Sequence, residues 1–200
     1  MKAAALALLA LALPGCTGAG GDPSPLSATS APTTHETHDW NGDGILDRAA
    51  IVEGDDGLIL QFETGGPDGL VQSLTLQDDG SLLYPGVAKE GERLVLTQLT
   101  GGTTAVASTH SFAWDSTLGA MRLMALEATL YSRTFAHDGL EAVWDPIGGT
   151  LATHTLRLRQ GGGDQAYDIT DEKVTAKPSA PIRLEDAPSG DSLLPYPYGD

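Results

Sequence analysis

Cysteine is almost missing from this sequence: Cys16 stands alone, so no intramolecular disulfide can form. Positive charge is scarce as well. Eleven Lys and Arg face 27 Asp and Glu, for a net charge of −16, which argues against nucleic acid and anionic membrane surfaces as partners. The acids are scattered through turns rather than massed, so most of them read as a solvated surface. No apolar stretch reaches the roughly 20 residues that a membrane-spanning helix needs. There is no G-x-S-x-G elbow for a serine hydrolase, and Gly161–Gly163 reads as a flexible turn rather than a phosphate loop.

The longest apolar run is Ala3 to Leu13, after Lys2. A positive start, a short apolar segment and then small residues have the build of a secretory signal. The run ends in Leu13-Pro14-Gly15-Cys16, which resembles the lipobox of bacterial lipoproteins, with proline at a position usually held by a smaller residue. That resemblance implies cleavage before Cys16 and acylation of its thiol and new amino group. Residues 1–15 are then a signal segment, and the address is the cell envelope. Thr17 rather than Asp after the cysteine implies the outer membrane if the organism has two.

Residues 16–37 are rich in Pro, Ser, Thr, Gly and Ala without hydrophobic period, and read as a disordered tether. Residues 177–200 contain five prolines and read as a second disordered tail, although their tyrosines could dock on something. Between them, residues 38–176 form one β-rich domain. Leu58–Phe62, Ser111–Asp115 and Thr155–Arg159 show strand alternation, and Arg93–Thr100 is β-prone and mostly apolar. Turn signals recur at 54–57, 65–69, 78–80, 101–102, 137–139 and 146–149. The expected fold is all-β, an antiparallel meander forming a sandwich or an open barrel. Over residues 120–131 the composition favours helix and the neighbouring strands favour strand; the segment is read as a long strand, with helix left open.

The densest set of oxygen donors is DWNGDGILD, Asp39 to Asp47. Counted from Asp39, Asn41 is third, Asp43 fifth, Gly44 sixth, Ile45 seventh and Asp47 ninth. Calcium loops of the EF-hand type use side-chain oxygens at one, three and five and a backbone carbonyl at seven, with glycine at six for the sharp turn. The twelfth position here is Ala50 rather than Glu, so Asp47 would supply the missing carboxylate. The expected Ca²⁺ ligands are therefore Asp39, Asn41, Asp43, Ile45 through its carbonyl, and Asp47. The loop and the hydrophobic strand after it resemble FG-GAP and VCBS-type repeats over residues 38–63. The likeness implies a calcium-held turn between two strands. Such repeats usually come in series and close a propeller; this chain has no second D-x-N-x-D-G loop, which argues against one.

Other constellations carry less. His35 and His38 flank the loop at the tether edge. Gly190-Asp191-Ser192-Leu193 spells the nucleophile block of the GDSL lipase family, but it lies near the C-terminus with no base downstream. His110, Ser108, Ser111 and Asp115 are triad residue types, yet His110 and Ser111 must point to opposite faces of a strand. Trp40, Trp114 and Trp144 could make an aromatic platform for a ligand or fill the core. The preferred function is a lipid-anchored binding or structural module of the envelope. It would be held to the membrane through Cys16 and have an envelope protein or a glycan as partner. The alternative is an envelope-polymer hydrolase using carboxylates such as Asp115 or Glu127 in a cleft.

Overall fold

The structure is a computed structural model and describes residues 34–55, 57–76, 83–159 and 166–194. Cys16, the signal segment, most of the tether, the turns at 78–80 and 161–163, and residues 195–200 lie outside the described residues.

Among the described residues, eleven strands make two antiparallel sheets. The first sheet holds β1 (His35–His38), β2 (Asp47–Gly54), β3 (Gly57–Glu63) and β4 (Val71–Thr75), in that order. The second holds β5 (Leu83–Glu90), β6 (Arg93–Gly101), β7 (Thr104–Asp115), β8 (Ala120–Ser132), β9 (Gly139–Asp145), β10 (Thr150–Leu158) and β11 (Tyr167–Ala176), again in chain order. Within each sheet every strand pairs with its neighbour in sequence, as the frequent Gly- and Asp-bearing turns require, and the chain passes from one sheet to the other between β4 and β5. Neither sheet closes on itself. The expected all-β meander is therefore found, as two sheets around one core rather than a barrel. Residues 120–131 are strand, within β8.

Alternation explains which faces meet. Leu60 and Phe62 of β3 are fully buried, as are Leu94 and Leu96 of β6, Phe112 of β7, and Met121, Leu123 and Leu126 of β8. These side chains form one cluster drawn from both sheets. On β8 the intervening Glu127 is exposed while Leu126 and Ala128 are buried, so the long apolar segment does have two faces. Burying each large aliphatic or aromatic side chain contributes about 1.5–3 kcal/mol. A polar clip fixes the layers. The Gln72 amide of β4 accepts a hydrogen bond from the Met121 backbone N–H at 2.8 Å and donates to Glu185.

Two expected boundaries shift. The first strand begins at His35, inside the stretch read as tether, and pairs His35 with Ala50 and His38 with Asp47. The larger correction concerns the tail. Residues 177–194 follow no period, but they are not a free end. They lie as a strap across the second sheet, with single 3-10 turns at Leu184–Asp186 and Gly190–Leu193. Leu184, Leu193 and Leu194 are buried in the common core. The strap starts at Lys177, whose N–H bonds the Gly149 carbonyl and whose carbonyl accepts the Trp144 indole N–H at 3.0 Å. Strand β9 pairs with β8 only from Leu126 to Leu130. Beyond that point the strap takes over the edge, with the Leu123 N–H bonded to the Ile182 carbonyl. Prolines remove donors and block regular structure, yet they leave apolar residues free to seal a sheet face.

The candidate calcium loop and a cleft beneath the strap

The stretch Asp39 to Leu46 is the hairpin connection between β1 and β2, closed by the His38–Asp47 pair. Its conformation is set by its own oxygens. The Asp39 carboxylate accepts the N–H groups of Gly42 at 2.8 Å and Asp43 at 3.1 Å on one oxygen, and of Gly44 at 2.9 Å on the other. Asn41 Oδ1 accepts the Asp43 N–H at 2.9 Å, and Asp43 Oδ1 accepts the Ile45 N–H at 2.7 Å. Gly42 and Gly44 both have positive φ, 77° and 86°, which a side chain would strain. Asp47 differs from the others. It is fully buried at the base of the loop, and its two oxygens accept N–H groups from Trp40 at 2.8 Å, Asn41 at 3.3 Å and Gly65 at 3.0 Å. It ties the start of the loop and the β3–β4 turn to the first residue of β2.

Asp39, Asn41 and Asp43 thus line one exposed or half-exposed turn, with Ile45 beside them and Asp47 beneath. Among the described residues, no three His, Cys, Asp or Glu side chains converge closely enough to hold a metal. The donor set nonetheless suits Ca²⁺. A carboxylate offers about four lone-pair sites, and after the bonds above each of the three acids keeps at least one. The donors are hard oxygens without nitrogen or sulfur, the chemistry calcium prefers.

The other sequence candidates separate. His38 Nε2 lies 3.0 Å from Glu92, and its ring meets Trp40 edge-on at 5.5 Å. Trp40 is buried against Phe62, and Phe62 against Trp114. Trp144 is buried too, with Lys177 Nζ 5.1 Å from its ring centre. The three tryptophans are packing residues rather than a platform. Asp115 accepts the N–H groups of Thr117 and Leu118 and a bond from Arg122 Nη1 at 3.0 Å. The Leu118 amide, then Arg122, hold its carboxyl below the usual range. Glu127 is shifted the opposite way, upward, by partial withdrawal from water and by Glu141 and Glu90. The two acids do not form a pair. Glu127 sits opposite Thr109, six residues along β7 from Asp115, which is about 20 Å at 3.4 Å per residue. Paired glycosidase carboxyls stand about 5–9.5 Å apart.

The structure also assembles what sequence reasoning kept apart. His110 on β7 is 1% exposed, and its Nε2 lies 2.9 Å from the Pro188 carbonyl oxygen of the strap. The Gly190–Leu193 turn follows directly, so the GDSL stretch and His110 adjoin, 78 residues apart for the bonded pair. Gly190 is required there, since a Cβ would stand 2.4 Å from the Ser108 Cβ. Ser192 turns its hydroxyl to the Ser189 carbonyl at 2.7 Å, the bond of a local turn rather than of an activated nucleophile. A cleft of about 250 Å³ remains beneath the strap, between β4, β6 and β7. Leu74, Leu76 and Pro188 make its apolar wall; Gln98, Thr100, Ser108 and His110 make its polar one. The signal available in sequence was Ile182, Leu184, Leu193 and Leu194, apolar residues with no other role in a proline-rich end.

Comparison with protein-family models, with curated proteins and with solved structures finds no match.

Proposed function

We propose that the chain is a lipid-anchored protein of the cell envelope whose β domain is stapled by Ca²⁺ and serves as a binding or structural module. The observation that carries this reading is the Asp39–Asp47 hairpin, where oxygen donors at fixed spacing surround one tight connection between two strands. Asp39, Asn41, Asp43, the Ile45 carbonyl and Asp47 would hold the ion, with water completing the six to eight oxygens calcium takes. Bound there, Ca²⁺ supplies charge neutralisation and rigidity to the turn. The loop saturates its own ion, so the role is structural rather than catalytic. The likeness to FG-GAP and VCBS-type loops supports the same reading.

The envelope address rests on the resemblance of Leu13–Cys16 to a lipobox. Stable attachment takes more than one acyl chain, each buried methylene adding about 0.8 kcal/mol. In an organism with two membranes the outer one is the proposed location. The partner would be an envelope protein or a glycan.

Calorimetry on the protein with its membrane anchor solubilised in detergent should show Ca²⁺ binding, and the melting temperature should rise with calcium over chelator. Asp43→Ala should abolish both. Equal melting temperatures in calcium and chelator for the unmodified chain would overturn the calcium reading. Cys16→Ser should release the protein from membranes; continued sedimentation with them would overturn the anchor.

A further inference from the structure

We infer that the rim of the domain where the chain arrives from Cys16 rests on a bilayer surface of zwitterionic headgroups, with Tyr84 and Phe135 seated in it. This rests on the reading of Cys16 as a lipid anchor and adds a second contact to the same membrane.

Two tie points fix which rim that is. His38, at the end of β1, meets Glu92 in the β5–β6 turn, so the Asp39–Asp47 loop lies at that end of the second sheet. Leu76, just past β4, bonds the Leu58 carbonyl and shares a cleft wall with Thr100, so the β2–β3 turn lies at the other end, beside the β6–β7 turn. Thr34, ahead of β1, accepts the Ile51 N–H and belongs to this second end. The β8–β9 loop is there too: the Arg133 N–H donates to the Thr103 carbonyl, and His137 Nε2 lies 2.8 Å from the Thr104 hydroxyl. Tyr84 follows Leu83, which pairs with Leu99 near the end of β6.

Among the described Phe, Tyr and Trp residues, only Tyr84 at 78% and Phe135 at 47% are largely exposed, and both stand on this rim. Both also have positive φ, 52° and 54°, which side chains of this size rarely adopt. Tyr84 in particular gains little packing to offset that strain. Glycine would hold either backbone at no such cost. Strained, exposed aromatics side by side on one rim point to a contact outside the domain.

Reach decides the occupant. Seventeen residues separate Cys16 from Thr34. Read as a tether, they span about 23 Å on average. Strand β8 has 13 residues and runs the height of the second sheet, about 44 Å at 3.4 Å per residue. The aromatic rim is therefore close to the bilayer that holds Cys16. The far rim, with Ile45, Leu46, Val71 and Ile147 exposed, is carried beyond that average reach. Tyrosine suits headgroup depth because its ring is apolar and its tip polar, and phenylalanine serves interfacial anchors in the same way. Charge sets the lipid class. Arg157 and Arg159 are paired with Asp138 and Asp168, while Glu53 and Asp55 add negative charge at the same end. Anionic headgroups would be repelled, and zwitterionic ones would not.

The test uses the full chain, acylated at Cys16 and reconstituted in vesicles of phosphatidylcholine and phosphatidylethanolamine. With Cys16 acylated, an introduced cysteine is the one free thiol. Gly102→Cys carries a fluorophore on the aromatic rim, at an exposed turn where a Cβ meets nothing. Ile147→Cys carries it on the far rim. Lipid with a nitroxide on its headgroup quenches a fluorophore that it touches. The expected result is quenching at position 102 and none at 147. Tyr84→Gly with Phe135→Gly should cut the quenching at 102 at least twofold while Tm holds or rises, since glycine relieves the positive φ. Added phosphatidylglycerol should weaken the quenching at 102. The inference is overturned by quenching that survives loss of both aromatics, by equal quenching at the two positions, or by a rise with phosphatidylglycerol. A lower Tm in the double variant would assign the rings to packing and also overturn it. Cys16 found unacylated by mass spectrometry sinks the anchor and this inference together; acylated Cys16 with position 102 unquenched sinks the inference alone.

Discussion

Asp47 shows how far one side chain can matter in this protein. A buried carboxylate that accepts three backbone N–H groups organises two loops at once. Asp47→Ala strands those donors beside the core, and the expected cost is about 3 kcal/mol, measurable by urea denaturation. Asp43→Ala lies on the exposed part of the loop and should cost far less in chelator. The contrast separates an acid that braces the fold with or without an ion from one whose proposed task is the ion alone. His110 sets a pH dependence. Its folded pKa is below the ordinary value because burial penalises the imidazolium, against a smaller opposing pull from the Pro188 carbonyl. As pH falls through about 6.5, the unfolded chain takes up the proton first. Above that range His110 adds no slope; below it, stability is lost until the folded pKa is reached. The stability–pH curve of His110→Phe should therefore fall less steeply below pH 6.5 than that of the parent chain. Parallel curves would show that another group governs the acid limb.

At the scale of elements, the strap carries the clearest prediction. Leu184 is fully buried. Leu184→Ala should cost about 3 kcal/mol, within the 2–5 usual for such truncations. For a domain of this size that lowers Tm by about 6–12 °C. An unchanged Tm would mean that the strap is not seated on the sheet in solution. The strap also marks the limit of what sequence could tell. Strands β3, β6 and β10 were legible because their apolar residues alternate or run β-prone between turn residues. Strand β8 was ambiguous because Met124 and Ala125 interrupt its alternation, and only packing decides its two faces. The hairpin loop was legible in composition and spacing, yet the separate task of Asp47 was not, since it depends on Gly65 arriving from a later turn. The strap was missed because its buried leucines follow the contour of a sheet already built, with no period of their own. The His110 cleft was missed with it, being a product of that contact.

For the whole molecule, charge decides the response to ions. A net charge of −16 makes the folded state repel itself, and the Debye length shrinks from about 30 Å at 0.01 M to about 10 Å at 0.1 M salt. Raising NaCl from 10 to 150 mM should raise Tm, and CaCl₂ at matched ionic strength should raise it further only if Ca²⁺ occupies the loop. Asp43→Ala should keep the first increment and lose the second. The chain order of the architecture has a last consequence. Every hairpin joins neighbours in sequence, so pairing can proceed while the chain is still being made. The segment that closes the inner face follows all eleven strands. During synthesis the half-finished domain must carry an open greasy surface, and a fusion joined close behind Leu194 would burden the one step that conceals it.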